Sequence, residues 1–421
     1  MTQSPNTLPP ESGPLAGRTV AVVHAAWHSC GSYQVNVAQA QAYRAMGAHV
    51  ISLALREWPP GALDEQAPHW RDYIAKTQDM PAHERFYSNM PRGAFADPRF
   101  WAKVYWPLIH GDHARATAAM TALAPIPPGL AGRRIDLIHC NHFFCMPAAR
   151  NLSADAPLIV ETQDIQANQY DLRNKGAFVA PPRATYAQML DYELDTLRKA
   201  DLLVHLNAEE CAQFEQLLPE KRHALVYPAA PAAPTGPGGR DIVIVASGNH
   251  PNTLGVEWFL QEVAPLARGV DVKIAGNVDA ALKQRNPQLY ARCAGMFLGR
   301  VADIGAVYAN AGLVLLPTTE GHGLSIKAVE ALSSGAPLIA TSQAFRGMNM
   351  PIAAIGNLLV ADDPATFAAA LRAAALQIGE DPRALGPARA VSDTRRYYED
   401  HFSAAAYRRA LQALAVPMAR A

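Results

Sequence analysis

The chain has 421 residues, half of them hydrophobic and 18% charged, with Lys plus Arg and Asp plus Glu both at 37. That length exceeds one ordinary core and points to two globular domains. The even charge balance argues against bulk nucleic-acid binding, which needs a basic surface, and no run of eighteen apolar residues offers a membrane-spanning helix.

The first stretch, "MTQSPNTLPPESGPLAG", is rich in Pro, Ser and Thr and reads as a disordered tail over residues 1–17. It lacks a basic n-region and an apolar h-region, so it does not read as a signal peptide. Five scattered cysteines fit a reducing cytoplasm better than a disulfide framework. "RTVAVVH" then reads as a buried strand. "AAWHSCGSY" is a loop, with His24 and His28 flanking it as either cleft or idle histidines. Val35, Ala38, Ala42 and Ala45 follow at helical spacing, and Gly47 stops the helix. "AHVISLAL" is the next buried strand. This βαβ unit predicts a parallel sheet covered by helices.

Residues 56–130 are irregular and rich in Pro and aromatics, and read as helices and long loops. Within them, "RFWAKVYWPLIHGDHAR" carries Trp101, Tyr105 and Trp106 beside Arg99, Lys103 and Arg115. It could rest at a membrane interface, but Pro107 and its short length favour a core helix with aromatic filler. "RIDLIHC", "PLIVET" and "ADLLVHL" resume the strands, and "HALVYP" closes this half.

"HCNHFFC" places His139, Cys140, His142 and Cys145 within seven residues. Adjacent residues at a strand end point to opposite sides, and no second half with standard ligand spacing exists, so no metal is expected. His139 or His142 then either lines a cleft or is a buried structural histidine. Asp164 is either a cleft carboxylate or a helix cap.

"PAAPAAPTGPGGR", residues 228–240, reads as an interdomain linker. Beyond it α/β alternation restarts with "DIVIVASG", and Val256, Phe259, Leu260 and Val263 mark a helix face. "DVKIAG", "GMFLG", "GLVLLP", "PLIAT" and "NLLVA" are further strands. The fold class is α/β: two doubly wound, Rossmann-like domains facing across a cleft. Ligands in such sheets bind outside the carboxyl ends of the strands.

One such end reads "PTTEGHGLSIKAVEALSSGAPLIAT" from residue 317. Ser325 can cap the helix, Gly335 can end it and Pro337 forbids its continuation. Gly321 and Gly323 allow close approach of a ligand to the backbone, and the free N–H groups of the helix start favour an anion. Ile326, Val329 and Leu332 are assigned to the packed face. Lys327 and Glu330 share the other face, where Lys327 would neutralise a diphosphate and Glu330 would accept from ribose hydroxyls. An exposed Lys–Glu pair on an ordinary helix fits the same spacing, which leaves both readings open.

"EGHGLSIKAVEALSSGAPLIAT" is similar to the donor-site signature of group 1 glycosyltransferases of the GT-B fold. Gly321, Gly323, Lys327, Glu330, Ala331, Leu332, Gly335, Pro337 and Thr341 carry the match. "VASGNHPNTLGVEWFLQEVAPL" resembles the opening strand and helix of that family's donor domain, "VETQDIQANQY" an acceptor-domain loop, and "YYEDHFSAAAYRRAL" a helix that crosses back onto the first domain. The resemblance implies an acceptor-side domain over 18–230, a linker over 231–240, a donor-binding domain over 241–390 and a returning helix over 391–421. It implies a donor site of Gly31, Ser32, Gly248, Asn249, Glu320, Gly321, His322, Gly323, Leu324, Ser325, Lys327 and Glu330, with Lys327, Glu330, His142 and Asp164 as catalytic candidates. His322 stands where many members keep Glu, "SGNHPN" offers Asn249 and His250 in place of Arg and Lys, and Gln163 replaces an acceptor-loop His.

The activity implied is metal-independent, retaining transfer from a nucleotide sugar to a glycan or lipid-linked acceptor in cell-surface polysaccharide biosynthesis, without a cofactor. The expected setting is cytoplasmic, with peripheral contact on the inner membrane face as an added option. An epimerase or phosphorylase on the same fold, or a non-catalytic partner subunit, are the alternatives.

Overall fold

The computed structural model describes residues 12–61, 67–321, 323–381 and 389–419, with the backbone alone for 58–60. The chain divides into two compact units, one running to Pro228 and resuming at Tyr407, the other spanning Ala229–Ala406.

The first unit is built on β1 (Thr19–Ala25), β2 (His49–Gly61), β3 (Glu84–Pro91), β4 (Leu137–Asn141), β5 (Leu158–Glu161), β6 (Leu202–His205) and β7 (His223–Leu225). They form one sheet in the order β3-β2-β1-β4-β5-β6-β7, with every neighbouring pair parallel. β1 and β4–β6 are buried along nearly their whole length, as strands covered by helices on both faces must be. β3 lies in the stretch read as helices and loops. Its Glu84 and Arg85 suit an edge strand and break the apolar run that marks a central one.

The second unit uses β8 (Asp241–Val245), β9 (Val272–Ala275), β10 (Phe297–Gly299), β11 (Ala311–Leu316), β12 (Leu338–Ala340) and β13 (Leu358–Val360), in the order β10-β9-β8-β11-β12-β13, again all parallel. In both sheets the chain builds outward one way and then the other. The order reverses between β1 and β4, and between β8 and β11, and the loops leaving those strands flank the natural ligand crevice of each sheet. Val256, Phe259, Leu260 and Val263 are buried as their spacing predicts, although the helix His250–Trp258 passes into a π-turn at Phe259–Val263.

Four expectations need correction. Residues 12–17 are an ordered turn, with Leu15 buried and its N–H bonded to the Met46 carbonyl at 2.9 Å, while residues 1–11 lie outside the described residues. Residues 229–240 form no helix or strand, but they are strapped to the second unit. The Ala233 N–H donates to Ser333 Oγ at 2.8 Å, and a Cβ on Gly236 or Gly239 would fall 2.3 or 2.4 Å from the Ala309 or Asn310 carbonyl oxygen. Ile326 is 51% exposed, while Val329 and Leu332 fill the core without it. Trp101, Tyr105 and Trp106 are not core filler. They are 50%, 42% and 60% exposed, because the π-turn at Trp101–Tyr105 gives the inward positions to Phe100 and Val104.

A buried polar network closes the first unit beneath its loops. Glu161, fully buried at the end of β5, accepts from Gln39 Nε2 at 2.8 Å, Gln163 Nε2 at 2.6 Å and the Tyr407 hydroxyl at 3.4 Å. His139 on β4 is bonded to the Tyr43 hydroxyl at 2.8 Å. Burial holds His139 neutral, with its pKa lowered to about 3, and pushes Glu161 up to about 8 against the pull of its donors. Between the unfolded carboxylate range and pH 8 the folded Glu161 therefore binds more proton than the unfolded one, so its contribution to stability is lost as pH rises through that window. Glu161→Gln, which keeps the shape of the neutral acid, should reduce the fall in Tm between pH 5 and pH 8 by at least about 2 °C. Parallel melting curves for the two proteins would disprove this.

Candidate functional site

At the switch point of the second sheet two loops stand side by side. The loop after β8 carries Gly248 and Asn249. The Gly248 N–H donates to Asn277 Oδ1 at 2.9 Å, and Asn249 Oδ1 caps the following helix by accepting from the Asn252 N–H at 3.0 Å. Gly255 in that helix is indispensable to the packing, since a Cβ there would lie 2.3 Å from the Pro317 carbonyl oxygen at the exit of β11. The loop after β11 carries Glu320, Gly321 and Gly323; His322 lies outside the described residues. Gly321 has φ 136° and Gly323 φ 63°, conformations that side-chain-bearing residues rarely adopt. Glu320 reaches across to His250 at 3.4 Å, both groups well exposed.

Past this turn Ser325 Oγ accepts from the Ala328 N–H at 3.4 Å and starts the helix Ile326–Ser334, which Gly335 ends at φ 69°. Leu324 is half-buried beside the cap. Lys327 Nζ lies 2.7 Å from Glu330 Oε2, so the pair that competes with the ligand reading is formed. The pair is not an ordinary surface one, however. The buried Tyr308 also donates to Glu330 Oε2, at 3.3 Å, and burial followed by the Glu330 charge raises the Tyr308 phenol well above its usual range. Glu330 is thus fixed by two donors on one oxygen, and among the described residues Oε1 accepts no hydrogen bond. A carboxylate oriented in this way can receive a vicinal diol. Arg346, in the loop after β12, sits directly against the glycine turn: a Cβ on Gly321 would meet its Nη2 at 2.7 Å. Arg346 brings a second cation beside the turn.

The first unit has its own site at the switch point of its sheet. A cavity of about 330 Å³ is lined by residues including Ser32, His142 and Asp164, which the fold brings together from the segments that follow β1, β4 and β5. Gly31 opens the helix Gly31–Ala45 at the same end and is exposed, with open space about its Cα. His142 is 2% exposed and packs edge-on to Trp27 at 4.8 Å. Burial lowers its pKa to about 3, so its ring is neutral. Asp164 is not a helix cap. It accepts from Gln166 Nε2 and, at 3.4 Å, from Gln169 Nε2, and burial raises its pKa.

The remaining candidates take structural places. His139 belongs to the buried network, and His24 is buried with Nε2 2.9 Å from Ser52 Oγ. His28 lies at the surface, 3.8 Å from Asp72. Cys140 and Cys145 are buried thiols, and among the described residues no group of three His, Cys, Asp or Glu converges as metal ligands would. Tyr308 and Trp27 carried no signal before folding, since a lone aromatic in an apolar run reads as core. Arg346 was detectable only as a cation following a strand end.

No curated protein matches the chain. Among solved structures, HepE of Anabaena with UDP aligns over 94% of this chain and 99% of its own at 15% identity and a TM-score of 0.56. Sucrose-phosphate synthase of Thermosynechococcus elongatus aligns over 94% and 98% at 16% identity and 0.52. The α,α-trehalose 6-phosphate synthase of Burkholderia multivorans aligns over 94% and 97% at 12% identity and 0.54. At these identities the likeness is one of fold. The model of the family described as Glycosyl transferases group 1 matches residues 239–376, a span that holds β8, β11 and the whole turn and helix from Glu320 to Glu330. The match to the group 1 glycosyl transferases covers that span, and the two sheets are those of the GT-B fold.

Proposed function

We propose that the protein transfers a sugar from a nucleotide diphosphate sugar to a glycan or lipid-linked acceptor, with retention of configuration and without a metal, in the assembly of a cell-surface polysaccharide. The observation that carries this reading is the Tyr308-anchored Glu330 one helical turn past a positive-φ glycine turn. Glu330 would hold the ribose diol. The N–H groups at the start of the helix, Lys327 and Arg346 would take the charge that develops on the diphosphate as the bond from the anomeric carbon to the β-phosphate oxygen breaks. Lys327 would have to turn from Glu330 to the phosphate, a small cost for a half-exposed ion pair.

The acceptor oxygen would form its new bond on the face being vacated, and its proton would pass to the departing phosphate oxygen. Gly31, Ser32, Gly248 and Asn249 would border the donor, with His142 and Asp164 ordering the reacting sugars. The complexes of HepE with UDP and with UDP-glucose make a uridine nucleotide the first donor to try. None of the described helices is long and apolar enough to cross a membrane. Exposed Trp101, Tyr105 and Trp106 support peripheral contact with the inner leaflet, where a lipid-linked acceptor would lie.

Lys327→Ala should lower transfer about 100-fold with little change in Tm, as loss of one group aimed at developing charge does elsewhere, and Glu330→Gln, which keeps an acceptor for Tyr308, should lower transfer by raising KM for the donor. Wild-type turnover in both variants would remove the donor site from this helix. Gly321→Ala should also impair transfer, because the new Cβ must displace Arg346 and the φ of 136° is strained; initial rates against Tm measure this. Dialysis against EDTA should leave turnover intact. A loss reversed by zinc would instead make ligands of His139, Cys140, His142 or Cys145.

A further inference from the structure

Three non-glycine residues in the described chain have positive φ: Ser29 at 57°, His142 at 68° and Gln163 at 64°. They follow β1, β4 and β5, three neighbouring strands of the first sheet. Positive-φ backbone at such residues is strained and persists where the surroundings over-determine it, commonly at ligand sites. All three lie at the end of the sheet that bears the cavity of about 330 Å³, and His142 and Gln163 line it. His142 Nδ1 is buried there without a hydrogen-bond partner. The Asn141 backbone beside the ring raises its pKa against the larger effect of burial.

The lining has a definite chemistry. Trp27 and Phe144 supply aromatic surface around His142, with Trp27 Nε1 donating to Glu57 Oε1 at 2.8 Å, so that Glu57 fixes the indole. Carboxyls come from Glu57 and Asp164, amides from the glutamines beside Asp164, and the cation Arg173 stands over Tyr170 at 5.7 Å. No Leu, Ile, Val or Met is among the described lining residues, which disfavours a hydrocarbon tail. Two carboxyls against one guanidinium disfavour a phosphate. An aromatic surface with carboxyl and amide acceptors and a neutral imidazole suits an uncharged ring that is apolar on its C–H face and rimmed by hydroxyls. The volume is at the small end for ligand cavities and fits one such ring.

We propose that this cavity is a subsite for one neutral pyranose of the acceptor, which makes the acceptor's recognised end a saccharide and not a lipid or phosphate. This rests on the transferase reading and narrows it. Trp27 would stack on the ring, His142 Nδ1 would bond a hydroxyl, and Asp164 would receive another once its glutamine donors turn aside.

Saturation-transfer difference NMR on the full chain without nucleotide tests this, using the methyl glycosides of glucose, galactose, mannose and N-acetylglucosamine. At least one glycoside should receive saturation at its ring protons. Trp27→Ala should weaken that signal at least about fivefold, as loss of one aromatic contact does, and Asp164→Asn, nearly isosteric, should also weaken it. Both variants should keep wild-type affinity for UDP by calorimetry, which also reports that they are folded. Saturation of no glycoside, or an undiminished signal in both variants, overturns the subsite. Equal losses of glycoside and UDP-glucose binding in Trp27→Ala would assign the cavity to the donor's sugar and overturn the acceptor assignment. Glycoside binding with no affinity for UDP or GDP in the wild type would sink the transferase reading while leaving a sugar site standing.

Discussion

In a parallel sheet every strand delivers its carboxyl end to the same edge, and covering helices fill the space between neighbouring loops everywhere except where the strand order reverses. This protein meets that constraint twice, between β1 and β4 and between β8 and β11. Nearly all its chemistry follows. Ser32 and His142 leave the strands on either side of the first reversal, and Asn249 and Glu320 those on either side of the second. Loops placed anywhere else on these sheets would be covered by their own helices.

The two ends are furnished differently. In the second unit the backbone is opened by glycine, and the polar groups are partly wet: Lys327, Glu330, Arg346 and Glu320, with His250 beside the last. In the first unit strain is held by side-chain-bearing residues, and the polar groups are mostly buried and neutral. Gln163 shows how that strain is maintained. Its amide donates to both Glu161 and Asn141, so the network below the loop fixes its backbone above. A half-satisfied network of this kind would be worse than an apolar core, which is why each member has its partner.

Much of this was legible in the sequence. Continuous β-branched runs gave away the central strands, and the Ser325 cap, the Gly335 stop and the Lys327–Glu330 spacing defined one helix with both its ends. Edge strand β3 was not legible, because Glu84 and Arg85 are what an edge needs and what a buried pattern lacks. Trp101, Tyr105 and Trp106 were misread as core because Pro107 and the shortness of the stretch say nothing of which face turns inward; that face is held by Phe100 and Val104, beside a π-turn. Tyr308, Arg346 and Trp27 act through partners distant in sequence. No local window contains both ends of such a contact, so these residues became visible only when the sheets were assembled.

The hydroxyl that Tyr407 lends to Glu161 spans 246 positions of chain. Tyr407, Leu411 and Ala415 are all buried, yet they follow the whole second unit in the chain. During synthesis the first unit therefore cannot complete its interior when its own strands emerge, and the second unit must be translated before the missing piece arrives. Until then Glu161 is short of a donor and an apolar seam stays open to solvent. A chain cut just before Tyr407 would carry a whole second unit while the first waits unfinished.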